Sequence, residues 1–314
     1  AWYRHMTVFG MTGTGKSTFQ NNIMNQIARK GYGFCYIDPK GDTVADLIRQ
    51  LPEDRLDDVV WIEPGSIKHD KVVGINFLEP AYGKDHPNFD REVTSIVDDL
   101  TAILKGGDYW GPKMEGITTN IARAMIRSDI NYTLLDMYYV LLSEEARQSF
   151  ADMVKQEGEE KRTSGEDDDF VDDMENIHTY TQQIAEMDYE EVDAVVRRIQ
   201  HWIEDPIARG IVAHREGTVN ITDAVEDGKI ILVNINIDSA DIKEVVSTAI
   251  MRRIWAAIKA RDEDEHERTP YFSFIDEFDD VAAPEMDIEK MLSKARSGKM
   301  GVGLACQNPS QIAE

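Results

Sequence analysis

Gly10-Met-Thr-Gly-Thr-Gly-Lys16-Ser17, inside the stretch TVFGMTGTGKSTFQNN that begins at Thr7, fits G-x-x-x-x-G-K-[ST] in full. Its context agrees. The apolar run MTVF precedes it as a short strand, and a helical pattern follows from Lys16 to Lys30, ending at Gly31. Glycines let backbone N–H groups turn inward around phosphates, and the helix N-terminus adds partial positive charge. The reading is a nucleotide-phosphate cradle made by Gly10, Thr12, Gly13, Thr14, Gly15, Lys16, Ser17 and Thr18. Lys16 is expected to reach the β- and γ-phosphates, and Ser17 to ligate Mg²⁺.

A strand, a phosphate loop and a helix open an α/β chain, and the segments that follow keep the alternation. GFCYID (Gly33 to Asp38) reads as a buried strand stopped by the turn signal PKGD. DVVWIEP (Asp58 to Pro64) reads as a third strand. Later come KIILVNINID (Lys229 to Asp238), a helix over Asp241 to Arg261, the strand YFSFIDEF (Tyr271 to Phe278), a helix over Ile288 to Arg296 and a last strand VGLACQ. Strands alternating with helices predict a mainly parallel sheet covered on both faces. The stretch from Arg91 to Asp205 is mostly helical in pattern: Val93, Ile96, Val97, Leu100 and Leu104 share one face at 3.6-residue spacing. Within it, KQEGEEKRTSGEDDDFVDDMEN is acidic and poor in large apolar residues, and is expected to be a solvated loop or frayed helix. The expected organisation is residues 1–90 as the P-loop half of one core, 91–205 as an all-α insertion, and 206–314 as the other half of the same core.

Composition sets the class. The 314 residues, 42% of them apolar, suffice for one large α/β domain with a sizeable insertion. No apolar run approaches the roughly 20 residues that span a bilayer, and the residues before the loop are not expected to be a signal peptide. Cys35 and Cys306 lie in apolar strand-like runs and read as buried reduced thiols. The expected location is the cytoplasm, or the cytoplasmic face of a membrane through a segment outside this chain. The scattered histidines contain no zinc-ligand spacing. A formal charge of −25, from 34 basic and 59 acidic residues, has two readings. One is a halophilic surface, where carboxylates hold water in a high-salt cytosol. The other is a basic partner. Either argues against nucleic-acid binding over the whole surface, while leaving room for a local basic channel.

The second half of a nucleotide site is in YFSFIDEF. Asp276 and Glu277 follow four mostly apolar residues at a strand's C-terminal end. Asp276 there can hold Mg²⁺, and Glu277 can polarise a water for attack on the γ-phosphate. An acidic pair after a strand is by itself commonly structural; a P-loop in the same chain turns the balance. The extra glutamate favours a water-activating ATPase over a kinase. The absence of an N-K-x-D motif favours ATP over GTP. Gln307 ends an apolar strand, where an amide can sense the γ-phosphate, although an ordinary strand-end residue fits too. Arg296, eleven residues before it, is either a finger reaching a neighbouring subunit's nucleotide or a surface residue in a basic cluster with Lys294 and Lys299.

With GMTGTGKS, YIDPKGDT, DVVWIEPGS, GINFLEP, YWGPKMEGI, GKIILVNI, FIDEFDDVA and SKARSGKMGVGLACQNPSQI taken together, the chain resembles the HerA–FtsK superfamily of motor ATPases. Within it, it looks most like type IV secretion and conjugation coupling proteins of the TraG/TraD kind and their archaeal relatives. The resemblance implies a RecA-like core with an all-α insertion, a hexameric ring with ATP and Mg²⁺ between subunits, and DNA moved through a central pore. It carries Lys16, Ser17, Asp276, Glu277, Gln307 and Arg296 into the roles above. The alternatives weighed are a secretion ATPase that moves protein, a small-molecule kinase, and a nucleotide-binding module without hydrolysis. Intact Lys16, Asp276 and Glu277 speak against the last.

Overall fold

The computed structural model describes residues 4–64, 74–105, 110–164, 168–261, 266–281, 288–295 and 297–308. The chain divides into two compact units, Ala1–Val73 with Val219–Glu314, and Gly74–Thr218.

The first unit is built on one sheet. Its strands are β1 (Met6–Phe9), β2 (Gly33–Asp38), β3 (Val59–Ile62), β4 (Ile230–Asn234), β5 (Tyr271–Ile275) and β6 (Met300–Cys306). They lie in the order β1-β6-β5-β2-β4-β3, and every pairing is parallel. β2, β5 and β6 are buried along their whole length. That is why they read as continuous apolar runs and not as alternating ones. One face carries Phe34, Tyr36, Ile230, Leu232, Phe272 and Phe274. Against it pack Met24, Ile27 and Ala28 of α1 (Lys16–Arg29) and Val44 and Leu47 of α2 (Asp42–Gln50). The alternate residues Cys35, Ile37, Ile231, Val233 and Ile275 are fully buried on the opposite face. Both cysteines are free thiols and buried, and burial pushes the Cys35 thiol far up and that of Cys306 to about 11.

Because all strands run the same way, their C-terminal ends share one edge, the usual place for ligands in an open α/β sheet. β6 lies between β1 and β5, so the loop after β1 and the acidic pair after β5 flank the end of β6. β2 lies on the far side of β5. This unit also holds α10 (Ile221–Glu226), α11 (Ala240–Ala260), α12 (Ile288–Lys294) and a 3-10 turn at Glu53–Asp58. β4 and β5 stop earlier than the apolar runs in the sequence, at Asn234 and Ile275, and Phe278–Asp280 forms a short 3-10 turn.

The second unit is helical: α3 (Phe89–Lys105), α4 (Pro112–Arg127), α5 (Leu134–Leu142), α6 (Glu144–Ser164), α7 (Asp168–Ala185), α8 (Tyr189–Glu204) and α9 (Pro206–Val212). The stripe Val93, Ile96, Val97, Leu100 and Leu104 is buried, as is Val192, Val195, Val196 and Ile199 of α8. The acidic stretch expected to be a loop or frayed helix is instead the end of α6 and the start of α7, apart from 165–167, which lie outside the described residues. Glu, Lys and Arg are good helix formers, Lys155 and Glu159 pair one turn apart, the two helices pack on each other, and Phe150, Val154, Met174 and Ile177 are buried. A polar outer face does not prevent a helix when a few inward positions are apolar. Among the described residues, no helix is long and apolar enough to cross a membrane.

Candidate nucleotide site

The loop from Gly10 to Gly15 leaves β1 beside β6: the Gly10 N–H donates to the carbonyl of Cys306 at 3.2 Å. Gly13 and Gly15 have φ of 81° and 91°, a left-handed backbone that glycine adopts without the steric cost of a Cβ. Gly15 is the residue before α1. Thr14 closes the turn, its Oγ1 and its N–H donating to the Met11 carbonyl at 2.7 and 3.2 Å. Lys16 is buried, and its Nζ donates to the Gly10 carbonyl at 2.6 Å. The ammonium therefore arches over the loop, where phosphate oxygens are held in P-loop sites.

Ser17 Oγ donates to Asp276 Oδ2 at 2.7 Å. Asp276 is 4% exposed, and its N–H donates to the carbonyl of Ile37, which extends the β2–β5 ladder by one bond. Tyr36 Oη donates to the same Oδ2 at 3.3 Å. Tyr36 is buried, and burial, with the charges of Asp38 and Asp276, raises its phenol well above the ordinary value, so it stays a donor.

Glu277 has φ 41° and ψ 57°, left-handed for a residue with a Cβ. Its N–H donates to Asp276 Oδ1 at 3.0 Å. Its carboxylate takes two donors: Lys40 Nζ on Oε1 at 2.5 Å and Gln307 Nε2 on Oε2 at 3.1 Å. Burial pushes this carboxyl up. The bonds from Lys40 and Gln307 and the charges of Lys40 and Lys16 outweigh it, so the net shift is downward. Lys40 is raised, chiefly by its bond to Glu277.

The DPKGD turn that carries Lys40 is tightly built. Asp38 accepts N–H groups from Lys40, Gly41, Thr43 and Val44 at 2.9–3.2 Å. Burial raises the Asp38 carboxyl while those four bonds oppose it. Gly41 has φ 77°, and a Cβ there would lie 2.3 Å from Asn234 Oδ1.

The structure thus brings Lys16, Ser17, Asp276, Glu277 and Gln307 to one edge of one unit. Arg296 lies outside the described residues. Lys40, Tyr36 and Asp38 join that edge without a motif of their own; the PKGD turn at the end of a buried strand is the signal in the sequence, and strand order supplies the rest.

Ser17 and Asp276 present a hydroxyl and a carboxylate, the hard oxygen donors that Mg²⁺ takes. Among the described residues there is no cluster of three or more His, Cys, Asp or Glu suited to a metal. Mg²⁺ in nucleotide sites needs one or two protein oxygens, with phosphates and water completing its shell, so the residues present fit it.

The model of the HerA helicase central domain matches residues 2–254. Among solved structures, the plasmid coupling protein TrwB in complex with the ATP analogue ADPNP aligns with a TM-score of 0.59 and 16% identity, over 99% of this chain and 65% of that one. The unbound bacterial conjugative coupling protein TrwBdeltaN70 aligns at 0.57 and 15%, over 99% and 64%. TrwB in complex with ADP and Mg²⁺ aligns at 0.52 and 14%, over 98% and 65%. The chain spans slightly less than two thirds of the length of these proteins. At such identities the likeness speaks for the fold, a RecA-like ATPase core. A search of curated proteins finds no match.

Proposed function

The chain belongs to the family of the HerA helicase central domain, and from that premise we propose that it is an ATP-hydrolysing motor that translocates DNA. The observation that carries the ATPase reading is the contact set Ser17–Asp276 and Glu277–Gln307. It closes the glycine loop, the acidic pair and the end of β6 around one point. The DNA reading is supported by the helicase name of the family and by the fold shared with plasmid and conjugative coupling proteins.

In this reading one ATPase core is made of two halves, expected over 1–90 and 206–314, with 91–205 as its insertion; the compact units divide wider, so that 74–90 and 206–218 go with the insertion. Gly10, Thr12, Gly13, Thr14, Gly15 and Thr18 surround the phosphates. Lys16 leaves the Gly10 carbonyl for the β- and γ-phosphate oxygens. Ser17 and Asp276 would hold Mg²⁺, which when bound neutralises phosphate charge and orients the triphosphate. Glu277 accepts the proton of the attacking water. The water oxygen bonds to the γ-phosphorus, the bond to the β–γ bridging oxygen breaks, and ADP and phosphate leave. Gln307 orients the water or reads the γ-phosphate. Arg296 completes the site from the next subunit of a hexameric ring, and loss of the γ-phosphate loosens that interface and moves the pore contacts along DNA. The partners are DNA and other copies of this chain, in a conjugation or type IV secretion setting at the cytoplasmic face of a membrane.

The test is ATP turnover by the protein with and without single- and double-stranded DNA, with Lys16→Ala as the inactive control. Release of free phosphate, stimulated by DNA, is expected. Phosphate release that DNA leaves unchanged at several salt concentrations would move the cargo reading to protein; a phosphorylated acceptor in place of phosphate would end the motor reading. Mixing Arg296→Ala with Lys16→Ala protein tests the shared site: partial recovery of turnover supports action across the interface, and none despite mixed assembly overturns it.

A further inference from the structure

We propose that Lys40 is a latch on the catalytic base: by holding Glu277 Oε1 it restrains hydrolysis, and it must let go for each turnover. The proposal rests on the ATPase reading of this site.

The geometry is specific. Lys40 Nζ stands 2.5 Å from Oε1 and Gln307 Nε2 stands 3.1 Å from Oε2. Each oxygen of Glu277 thus already accepts from one protein donor. A base polarises water through its negative charge and a lone pair aimed at it, and an ammonium in contact offsets that charge and takes one of those lone pairs. The Gln307 amide is neutral and belongs to the end of β6. Lys40 is therefore the stronger and the more adjustable of the two restraints.

The turn is built so that Lys40 meets Glu277. Four amides bound by Asp38, and a left-handed Gly41 against Asn234, fix the backbone on both sides of Lys40. Parallel pairing of Ile37 with Ile275 then sets the two strand ends side by side. Glu277 is held from its own end by the left-handed backbone and the bond to Asp276 Oδ1. The two partners differ in exposure: the Glu277 side chain is 7% exposed and that of Lys40 48%. The carboxylate is fixed and the ammonium sits on a stem that can swing into water. A rigid base with a movable cation is the arrangement of a restraint that can be lifted.

The test compares kcat and KM for ATP with saturating Mg²⁺ in wild-type protein, Lys40→Met, Lys40→Arg and Lys40→Met/Glu277→Gln. A half-exposed ion pair is worth a few-fold in an equilibrium. Lys40→Met is therefore expected to raise kcat about two- to five-fold with KM unchanged. Lys40→Arg restores a cation at Oε1 and should give a lower kcat than Lys40→Met. The double variant should be as inactive as Glu277→Gln alone. A fall in kcat or a rise in KM in Lys40→Met would overturn the latch and make Lys40 a phosphate ligand. An unchanged kcat would overturn it as well. If wild-type and Lys40→Met protein both bind ATP and neither releases phosphate, the ATPase reading itself fails; active wild-type protein with no gain in Lys40→Met sinks the latch alone.

Discussion

Ser17 Oγ and Asp276 Oδ2 lie 2.7 Å apart although 259 residues separate them in the chain. The contact joins the first turn of α1 to the end of β5 and leaves two oxygen donors side by side. If they hold Mg²⁺ together, Asp276→Asn and Ser17→Ala should each weaken the Mg²⁺-dependent part of nucleotide binding by about tenfold or more. Binding of ATP in excess chelator should change little. Titration of a fluorescent nucleotide with and without Mg²⁺ measures both; equal affinities across Mg²⁺ concentrations for all three proteins would remove the assignment.

Glu277→Gln keeps the size of the side chain and an oxygen for Lys40 while removing the charge. Turnover should fall about 10²–10⁴-fold, and ATP affinity should stay within a few-fold of wild type. Equilibrium nucleotide binding beside single-turnover phosphate release separates the two. A Gln variant that still hydrolyses ATP would show that another group takes the water's proton.

The parts of the fold legible in the sequence are those whose cause is local. Buried parallel strands such as GFCYID and VGLACQ are unbroken apolar runs bounded by turns, and the loop from Gly10 to Ser17 carries its own glycines and lysine. The helices of the second unit follow from stripes such as Val93 to Leu104. The acidic stretch that ends α6 and begins α7 reads from its charge density as a solvated loop or frayed helix, whereas glutamate and lysine favour helix and Phe150 and Met174 are buried. The Lys40–Glu277 pair was out of reach for a different reason. It depends on β2 lying next to β5, and neither strand's residues state which neighbour it will have. The same holds for Tyr36 beneath Asp276: it reads as one more apolar core residue until the strand order puts its hydroxyl at the carboxylate.

Gly41 stands in the turn that presents Lys40, with a left-handed backbone that residues carrying a Cβ rarely adopt. With φ at 77° and Asn234 Oδ1 2.3 Å from any Cβ, Gly41→Ala should destabilise the protein by about 1–3 kcal/mol. Asn234 cannot step aside freely, because its Nδ2 donates to Glu63 Oε1 at 3.1 Å. Gly116 is the matching control. It sits inside α4 with nothing within 4 Å of an added Cβ, and Gly116→Ala should stabilise by about 0.5–1 kcal/mol. Thermal midpoints of the two variants should therefore move in opposite directions; a drop for both would show that the argument from space and φ fails.

Asp58 offers a pH signature away from the nucleotide site. Its Oδ1 accepts from Lys229 Nζ at 3.0 Å and its Oδ2 from Arg55 Nε at 2.8 Å. Arg55 in turn donates to the carbonyls of Ala28, Tyr32 and Gly228, so this carboxylate helps fasten the turn before β3 to the ends of α1 and the β4 entry. The bond from Lys229, ahead of the opposing effect of burial and the bond from Arg55, holds the Asp58 carboxyl below the ordinary value of 3.8. A carboxyl whose folded value is depressed binds fewer protons than the unfolded chain does, so it adds stability above the ordinary carboxylate range and loses it as pH falls through the folded value. Asp58→Asn should then cost about 1 kcal/mol at neutral pH, and the difference from wild type should shrink steadily as pH falls below about 4. Denaturation midpoints of both proteins across that range read the effect, and a gap that stays constant or widens in acid would mean that the charge on Asp58 is not what holds this corner.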